Sequence, residues 1–310
     1  MKRISVVTPC YNEVENVEDL HDEIRKVFVG LPQYDYEHVY IDNCSTDGTV
    51  EKLRALAAAD PHVKVILNAR NFGHIRSPYH ALLQAQGDAV IMMASDLQEP
   101  PVLIRDFLEK WEAGYKVVIG VKNKSEENPL MFAVRKLFYN LLRKFSEVDQ
   151  VKNFTGFGLY DRKFVDVLRG IDEVYPYFRG LVAELGFDRA EVTYTQPRRQ
   201  KGQTKNNFYT LYDMAMLGFV SHSKVPLRMA SFIGFPLALV SLLVALGYTV
   251  YKLIFWDSFQ VGMAPLVIGL FFFSSVQLFF IGVLGEYVGA VHTQVHKRPL
   301  VIEKERINFD

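Results

Sequence analysis

A carboxylate, an amide and a second carboxylate stand close together in the run Ala94-Ser95-Asp96-Leu97-Gln98-Glu99-Pro100-Pro101. The two prolines fix φ and should open a helix at Val102 that runs toward Lys110, which leaves Asp96, Gln98 and Glu99 on a short, stiff turn. Hard oxygen ligands held in this way suit Mg2+ or Mn2+ shared with the phosphates of a substrate. The plainer alternative is a solvated acidic turn that caps a helix. Other groups along the chain favour the first. Tyr11-Asn12-Glu13 and Asp42-Asn43 carry acidic and amide groups that can accept hydrogen bonds from a base and a ribose, with Arg70 after the next strand. Arg198-Arg199-Gln200-Lys201-Gly202-Gln203-Thr204-Lys205 places four cations in one loop. Cations on a loop are usually just solvated, but they are also what a departing diphosphate needs.

These groups can act together only on a scaffold that gathers them. Ala89-Val90-Ile91-Met92-Met93, just before the acidic turn, has the length and composition of a buried parallel strand. Ile4 to Thr8, His38 to Ile41, Val63 to Leu67 and Lys116 to Val121 read as further strands. Helical patterns lie between them, over Val17 to Val29, through Leu53 and Leu56, and from about Ser77 to Gln86. Strands and helices alternating at this spacing imply a mostly parallel sheet with helices on both faces. In such a sheet the residues after each strand line one edge, where open α/β folds bind ligands. Ser45, Thr46 and Asp47, behind the second strand, are all good helix-capping types, so that segment also reads as a capped turn.

Composition narrows the class. The 310 residues exceed one ordinary domain, and 35 basic residues balance 35 acidic ones. Zero formal charge argues against a nucleic-acid binder driven by phosphate neutralisation. Cys10 and Cys44 read as reduced thiols of a cytosolic compartment, and Met1-Lys2-Arg3 leads directly into a strand without a signal peptide. The apolar residues gather late in the chain. Phe232 to Phe255 and Ala264 to Val291 are each long enough for a hydrocarbon layer of roughly 30 Å. Their connecting loop, Trp256 to Met263, has no Lys or Arg, whereas Lys224, Arg228, Lys297 and Arg298 flank the pair. The positive-inside rule then places both termini and the sheet domain in the cytoplasm. Two amphipathic patterns, Leu130 to Phe145 and Phe208 to Phe219, read either as core helices or as helices on an anionic membrane surface. The expected division is a domain over 1–228, a membrane hairpin over 229–292 and a cytoplasmic tail over 293–310.

With these residues in view, the runs TPCYNE, DNCSTDGT, ASDLQEPP and RQKGQTK resemble the nucleotide-sugar site of family 2 glycosyltransferases of GT-A fold. The resemblance is greatest to the polyprenyl-phosphate glycosyltransferases and covers nearly the whole chain, since the bacterial branch also carries two C-terminal membrane helices. It implies Pro9, Tyr11, Asn12, Glu13, Asp42, Asn43 and Arg70 as nucleotide-binding residues, Asp96 and Gln98 as ligands of Mg2+ or Mn2+, and Asp96, Arg199 and Lys205 as the catalytic set. It also implies inverting transfer of a hexose from a nucleotide diphosphate sugar, UDP-glucose or a related UDP-sugar, to undecaprenyl phosphate at the inner membrane, and leaves a homo-oligomer open. Three positions depart from the family pattern: Ala94 replaces the first carboxylate of an Asp-x-Asp, Asn43 replaces the second of paired aspartates, and Gly156 stands where some relatives carry an aspartate proposed as a base. A processive polysaccharide synthase fits less well, because the chain lacks a Gln-x-x-Arg-Trp run. A catalytically silent membrane scaffold is the rival that the loss of the carboxylate at Ala94 keeps open.

Overall fold

In the computed structural model, which describes residues 1–124, 151–197, 201, 216, 220, 224–255 and 263–309, the N-terminal β-branched run forms β1 (Lys2–Cys10). It is followed by α1 (Val17–Val29), β2 (Tyr34–Asp42), α2 (Thr49–Ala59), β3 (Val63–Asn68), α3 (Gly73–Gln84) and β4 (Ala89–Met92). These four strands are parallel, with β1 between β2 and β4. α1 forms because Val17, Leu20, Ile24, Val27 and Phe28 recur at helical spacing, and all five are buried. After β4, the proline pair starts a single 3-10 turn, Pro101–Leu103, and α4 (Ile104–Glu112) follows. The helix therefore opens two residues later than the expected Val102. α3, by contrast, begins four residues earlier than expected and takes Pro78 inside it.

β5 (Val117–Lys124), β6 (Phe154–Asp161), α5 (Arg162–Arg169), α6 (Phe178–Glu184) and β7 (Arg189–Thr195) extend the sheet, and β8 (Glu303–Ile307) closes its other side. The order is β7-β5-β6-β4-β1-β2-β3-β8. Four of the seven pairings are parallel; β6 runs antiparallel between β4 and β5, and β8 antiparallel beside β3. Neither antiparallel strand stands out in the sequence. Gly156 and Gly158 interrupt the apolar pattern of β6, yet a Cβ at Gly158 would run into the Val118 carbonyl. β8 reads Glu-Lys-Glu-Arg-Ile, the charged composition of an edge strand.

Both faces are covered. α3, α5 and α6 bury Tyr79, Leu82, Phe164, Leu168 and Leu181 on one side, while α1 and α4 bury Leu20, Ile24, Ile104, Phe107 and Trp111 on the other. Cys10 is buried and Cys44 exposed, both as free thiols. Two long helices, α7 (Val225–Ile254) and α8 (Met263–Val295), follow the sheet domain. They are long and apolar enough to cross a membrane over Leu227–Tyr251 and Ile268–Val295, a few residues displaced from the expected spans. The amphipathic segment 130–145, the basic residues Arg199 and Lys205 and the loop 256–262 lie outside the described residues, as does most of 208–219.

Candidate active site

Strand register sets the site. Cys10 pairs with Asp42 across β1 and β2, and Val7 pairs with Met92 across β1 and β4, so the residues that follow each strand emerge side by side. β6 enters from the opposite direction; since Met92 faces Gly158, Thr155 and Gly156 reach past the end of β4 onto the same edge.

The loops after β1 and β2 are stitched together by reciprocal bonds. Asn12, in the left-handed region at φ 55°, donates its N–H to Ser45 Oγ at 2.8 Å, and its Oδ1 accepts from the Thr46 N–H at 2.8 Å. The Glu13 N–H donates to Thr49 Oγ1 at 2.9 Å and the Val14 N–H to Asp47 Oδ2 at 3.2 Å. Ser45, Thr46, Asp47 and Thr49 thus hold the first loop against the second. Asp42 is buried at the end of β2, and its Oδ2 accepts from the Ser45 N–H at 2.9 Å. Burial pushes its carboxyl above the usual range, against the hydrogen bonds from Ser45 and Cys44. Its Oδ1 is buried with no hydrogen-bond partner among the described residues, the kind of acceptor that a donor group on a nucleoside would satisfy.

Asn43 holds the third loop. Its Nδ2 donates to Asn71 Oδ1 at 2.9 Å and to the Gly73 carbonyl at 3.2 Å, and its Oδ1 accepts from the Phe72 N–H at 2.8 Å and from Asn68 Nδ2 at 3.2 Å. Every hydrogen-bonding group of that amide is therefore engaged, and the contact to Gly73 anchors the early start of α3. Arg70 remains exposed above this loop, its guanidinium 4.0 Å from the centre of the Phe72 ring. Tyr11 is 37% exposed and Pro9 lines the central cavity.

The acidic turn divides its carboxylates. Leu97 takes the left-handed region at φ 57°, which separates Asp96 from Glu99. Asp96 is half-buried and accepts from the Gln98 N–H at 3.2 Å, while Gln98 Nε2 donates to the Pro197 carbonyl at 3.3 Å. Glu99 turns inward from this turn. It is 8% exposed and accepts from the Ala94 N–H at 2.7 Å and from Thr155 Oγ1 at 3.2 Å. Burial first, and then the charge of Asp96, raise it to about 7.

No cluster of three His, Cys, Asp or Glu side chains able to hold a metal exists among the described residues. A carboxylate beside an amide oxygen nevertheless fits a hard cation that takes its remaining ligands from water and substrate phosphates. Lys201, the one described residue of the basic run, donates to Asp19 Oδ2 at 2.6 Å and to the Glu15 carbonyl at 3.4 Å, beside the first loop.

Behind the turn lies a cavity of about 310 Å³, lined by Pro9, Ala94, Glu99 and Thr155 and by the segment from Pro176 to Arg179. Gly156 lines it at φ 107°, a backbone in which an aspartate would be strained. Thr155 and Arg179 were absent from the sequence-derived set, and a lone threonine and a lone arginine carry no motif that could have marked them.

A mixed sheet with this ligand edge defines a GT-A glycosyltransferase fold. Residues 5–167 match the model of glycosyl transferase family 2, and the chain belongs to that family. The uncharacterized glycosyltransferase YkcC of Bacillus subtilis is 33% identical over 99% of this chain and 94% of its own length. The SfII prophage-derived bactoprenol glucosyl transferase of Shigella flexneri is 33% identical over 98% of both chains. Among solved structures, glucosyl-3-phosphoglycerate synthase from Mycobacterium tuberculosis, in complex with Mn2+, uridine-diphosphate and phosphoglyceric acid, shares the fold. It has a TM-score of 0.50 and 20% identity, covering 71% of this chain and 76% of that one.

Proposed function

We propose that this chain transfers a hexose, glucose or a close relative, from a UDP-sugar to undecaprenyl phosphate, with inversion, at the cytoplasmic face of the inner membrane. One observation carries the reading: the likeness to bactoprenol glucosyl transferases runs through the sheet domain and through both apolar helices. The course of the chain supports the membrane assignment. β8 pairs antiparallel with β3, Glu303 opposite Asn68, so the chain returns from α8 into the sheet at the edge that carries Asp42 and Asp96. Residues before α7 and after α8 share one sheet, which requires the pair to cross a bilayer an even number of times. The domain of 1–228 and the tail of 293–310 would then lie on one side of the hairpin of 229–292, with the loop 256–262 on the other.

In this reading Tyr11, Asn12, Glu13, Asp42 and Arg70 hold the nucleotide, Pro9 shapes the pocket floor, and Asn43 positions the Arg70 loop. Asp96 and Gln98 would hold Mg2+ or Mn2+, which when bound neutralises charge on the donor diphosphate. Arg199 and Lys205 would stabilise the leaving diphosphate. The acceptor needs no general base, because the second ionisation of a phosphate monoester falls near pH ~6. One of its oxygens attacks the anomeric carbon; that C–O bond forms as the bond to the donor diphosphate breaks, and the electron pair leaves on the diphosphate. Attack opposite the leaving group inverts the centre. Alignment and charge stabilisation are the protein's contribution.

Purified full-length protein, supplied with undecaprenyl phosphate, Mg2+ and a panel of nucleotide sugars, should form a glycosylated lipid phosphate from UDP-glucose or a related UDP-sugar. Absence of any lipid product from a folded preparation would sink the reading. Cysteine labelling in intact cells tests the topology: the loop 256–262 should react from the outside, and labelling only from the cytoplasm would reverse it.

A further inference from the structure

The cavity beside Glu99 is lined by unlike groups. Glu99 and Thr155 contribute carboxylate and hydroxyl oxygens. The segment that includes Pro176, Tyr177 and Phe178 ends in Arg179, whose guanidinium lies 5.4 Å from the centre of the Tyr177 ring. Arg179 is half-buried, and no carboxylate pairs with it among the described residues. Arg169 and Arg306, by comparison, are bound to Asp166 and Glu303. Arg179 shares the cavity lining with Ile75, Pro78 and Phe178, and its guanidinium would meet an incoming phosphate with charge-assisted hydrogen bonds.

The segment before Arg179 is fastened to the end of α8 and to the residues just after it. The Val174 N–H donates to the Gln294 side-chain oxygen at 3.2 Å, and Lys297 pairs with Asp172 at 2.7 Å. Gln294 lies at the end of the apolar span Ile268–Val295. An acceptor whose hydrocarbon chain stays in a bilayer can present its phosphate only close to where an apolar helix leaves it. The segment from Asp172 to Arg179 meets that condition. Pro9, which opens the loop read above as holding the nucleotide, lines the same cavity.

We propose that Arg179 is the contact that receives the phosphate of the lipid acceptor, and that it thereby fixes the end of the cavity from which the acceptor attacks. The inference rests on the transferase reading given above. A planar guanidinium can hold two phosphate oxygens at once and leave the third directed at the anomeric carbon. Glu99 and Thr155, in the lining of the same cavity, are then left to receive sugar hydroxyls rather than phosphate.

The experiment uses detergent-solubilised full-length protein with Mg2+, and compares wild type with Arg179→Gln and Arg179→Lys. Initial rates are measured with undecaprenyl phosphate varied at saturating donor and the reverse; binding of a nucleoside diphosphate is measured by calorimetry. Arg179→Gln should raise the acceptor KM by about tenfold or more, the loss of one charge-assisted contact. Arg179→Lys, which keeps the charge but not the fork, should raise it by a few-fold, and both should leave donor KM and nucleotide affinity within about twofold of wild type. An unchanged acceptor KM in either variant, or an equal rise in donor KM, overturns the assignment. Because Arg179→Lys disturbs packing least, it decides the matter if Arg179→Gln does not fold. Wild type that makes no lipid product removes the transferase reading itself. Wild-type turnover with unaffected variants removes Arg179 alone.

Discussion

The sheet domain and the helix pair are both rich in Leu, Ile, Val and Phe, and they treat these residues in opposite ways. Ile4, Val39, Ile66 and Phe107 are completely buried, whereas Leu239, Leu266 and Phe271 are 57%, 68% and 67% exposed. In the first region the protein supplies its own apolar surroundings. In the second these residues stay exposed along helices that are long and apolar enough to cross a membrane. Polar groups divide in the same way. The sheet edge connects loops distant in sequence, as Asn43 does with Asn68, Asn71 and Phe72. Hydroxyls in α8 bond within their own helix, Ser275 Oγ to the Phe271 carbonyl at 2.8 Å and Thr293 Oγ1 to the Gly289 carbonyl at 3.0 Å. Long-range polar contacts tie the sheet edge together, whereas these two hydroxyls stay within their own helix.

The sharpest way to separate the regions is through activity. Asp96→Asn should lower transfer by about 100-fold or more while leaving the unfolding transition in place, since the group sits on a turn outside the core. Gln277→Leu, a polar-to-apolar change within α8, should leave turnover in detergent nearly unchanged. Near-normal rates for Asp96→Asn at ordinary Mg2+ concentrations would break the division of labour.

Stability gives the next contrast. Ile41→Ala, in the packed core, should cost about 2–5 kcal/mol in urea unfolding of the sheet domain. Leu266→Ala removes a similar group from an exposed helix face and should cost that domain no more than about 0.5 kcal/mol. Equal costs would mean that the helix pair contributes to the same cooperative core.

Asn43→Ala tests whether the loops at the edge are held as one unit. It strips partners from Asn68 and from the Phe72 N–H, so the fold should lose about 1–3 kcal/mol, and nucleotide affinity should fall with it. Preserved affinity in a destabilised variant would separate Asn43 from the site.

The smallest effect is a pH dependence. His38 is completely buried, with its Nε2 3.0 Å from Thr8 Oγ1, and burial, reinforced by the nearby His21, holds it well below the usual histidine range. The unfolded chain therefore takes up a proton near pH ~6.5 that the folded chain refuses, so the stability that neutral His38 allows is present above that pH and lost as pH falls below it. The slope is at most about 1.4 kcal/mol per pH unit. Glu99, raised to about 7, acts with the opposite sign over much of the same window. The difference between His38→Gln and wild type, from urea unfolding at pH 7.5 and 5.5, isolates the histidine. The variant should lose less stability on acidification, and an identical loss would exclude His38 as the cause.

The alternation of β1 to β4 with α1 to α3 was legible, and α1 was read with its observed bounds, because a buried strand and an amphipathic helix each leave a local period. The two apolar helices were equally plain, since their length alone exceeds what a soluble core needs. The strand-end positions of Asp42, Asp96 and Gln98 followed from the strands before them.

Other features depended on which distant segments meet. Glu99 belongs to the same short run as Asp96, yet only the left-handed turn at Leu97 sends it inward to Ala94 and Thr155. Asn43 looked like a ligand group by its position after β2; its amide is instead consumed by four contacts, three of them to residues at least 28 positions away and one to Asn68. β8 did not stand out as a strand, because its charged run has no apolar face and becomes a strand only beside the ladder of β3. Arg179 acquires meaning only once Asp172 and Val174 are joined to the end of α8. Periodicity records the surroundings that each segment requires, and the sequence by itself determined that much here. Which segments provide those surroundings for one another was decided by strand register and turn geometry, and these emerge only when the whole chain packs.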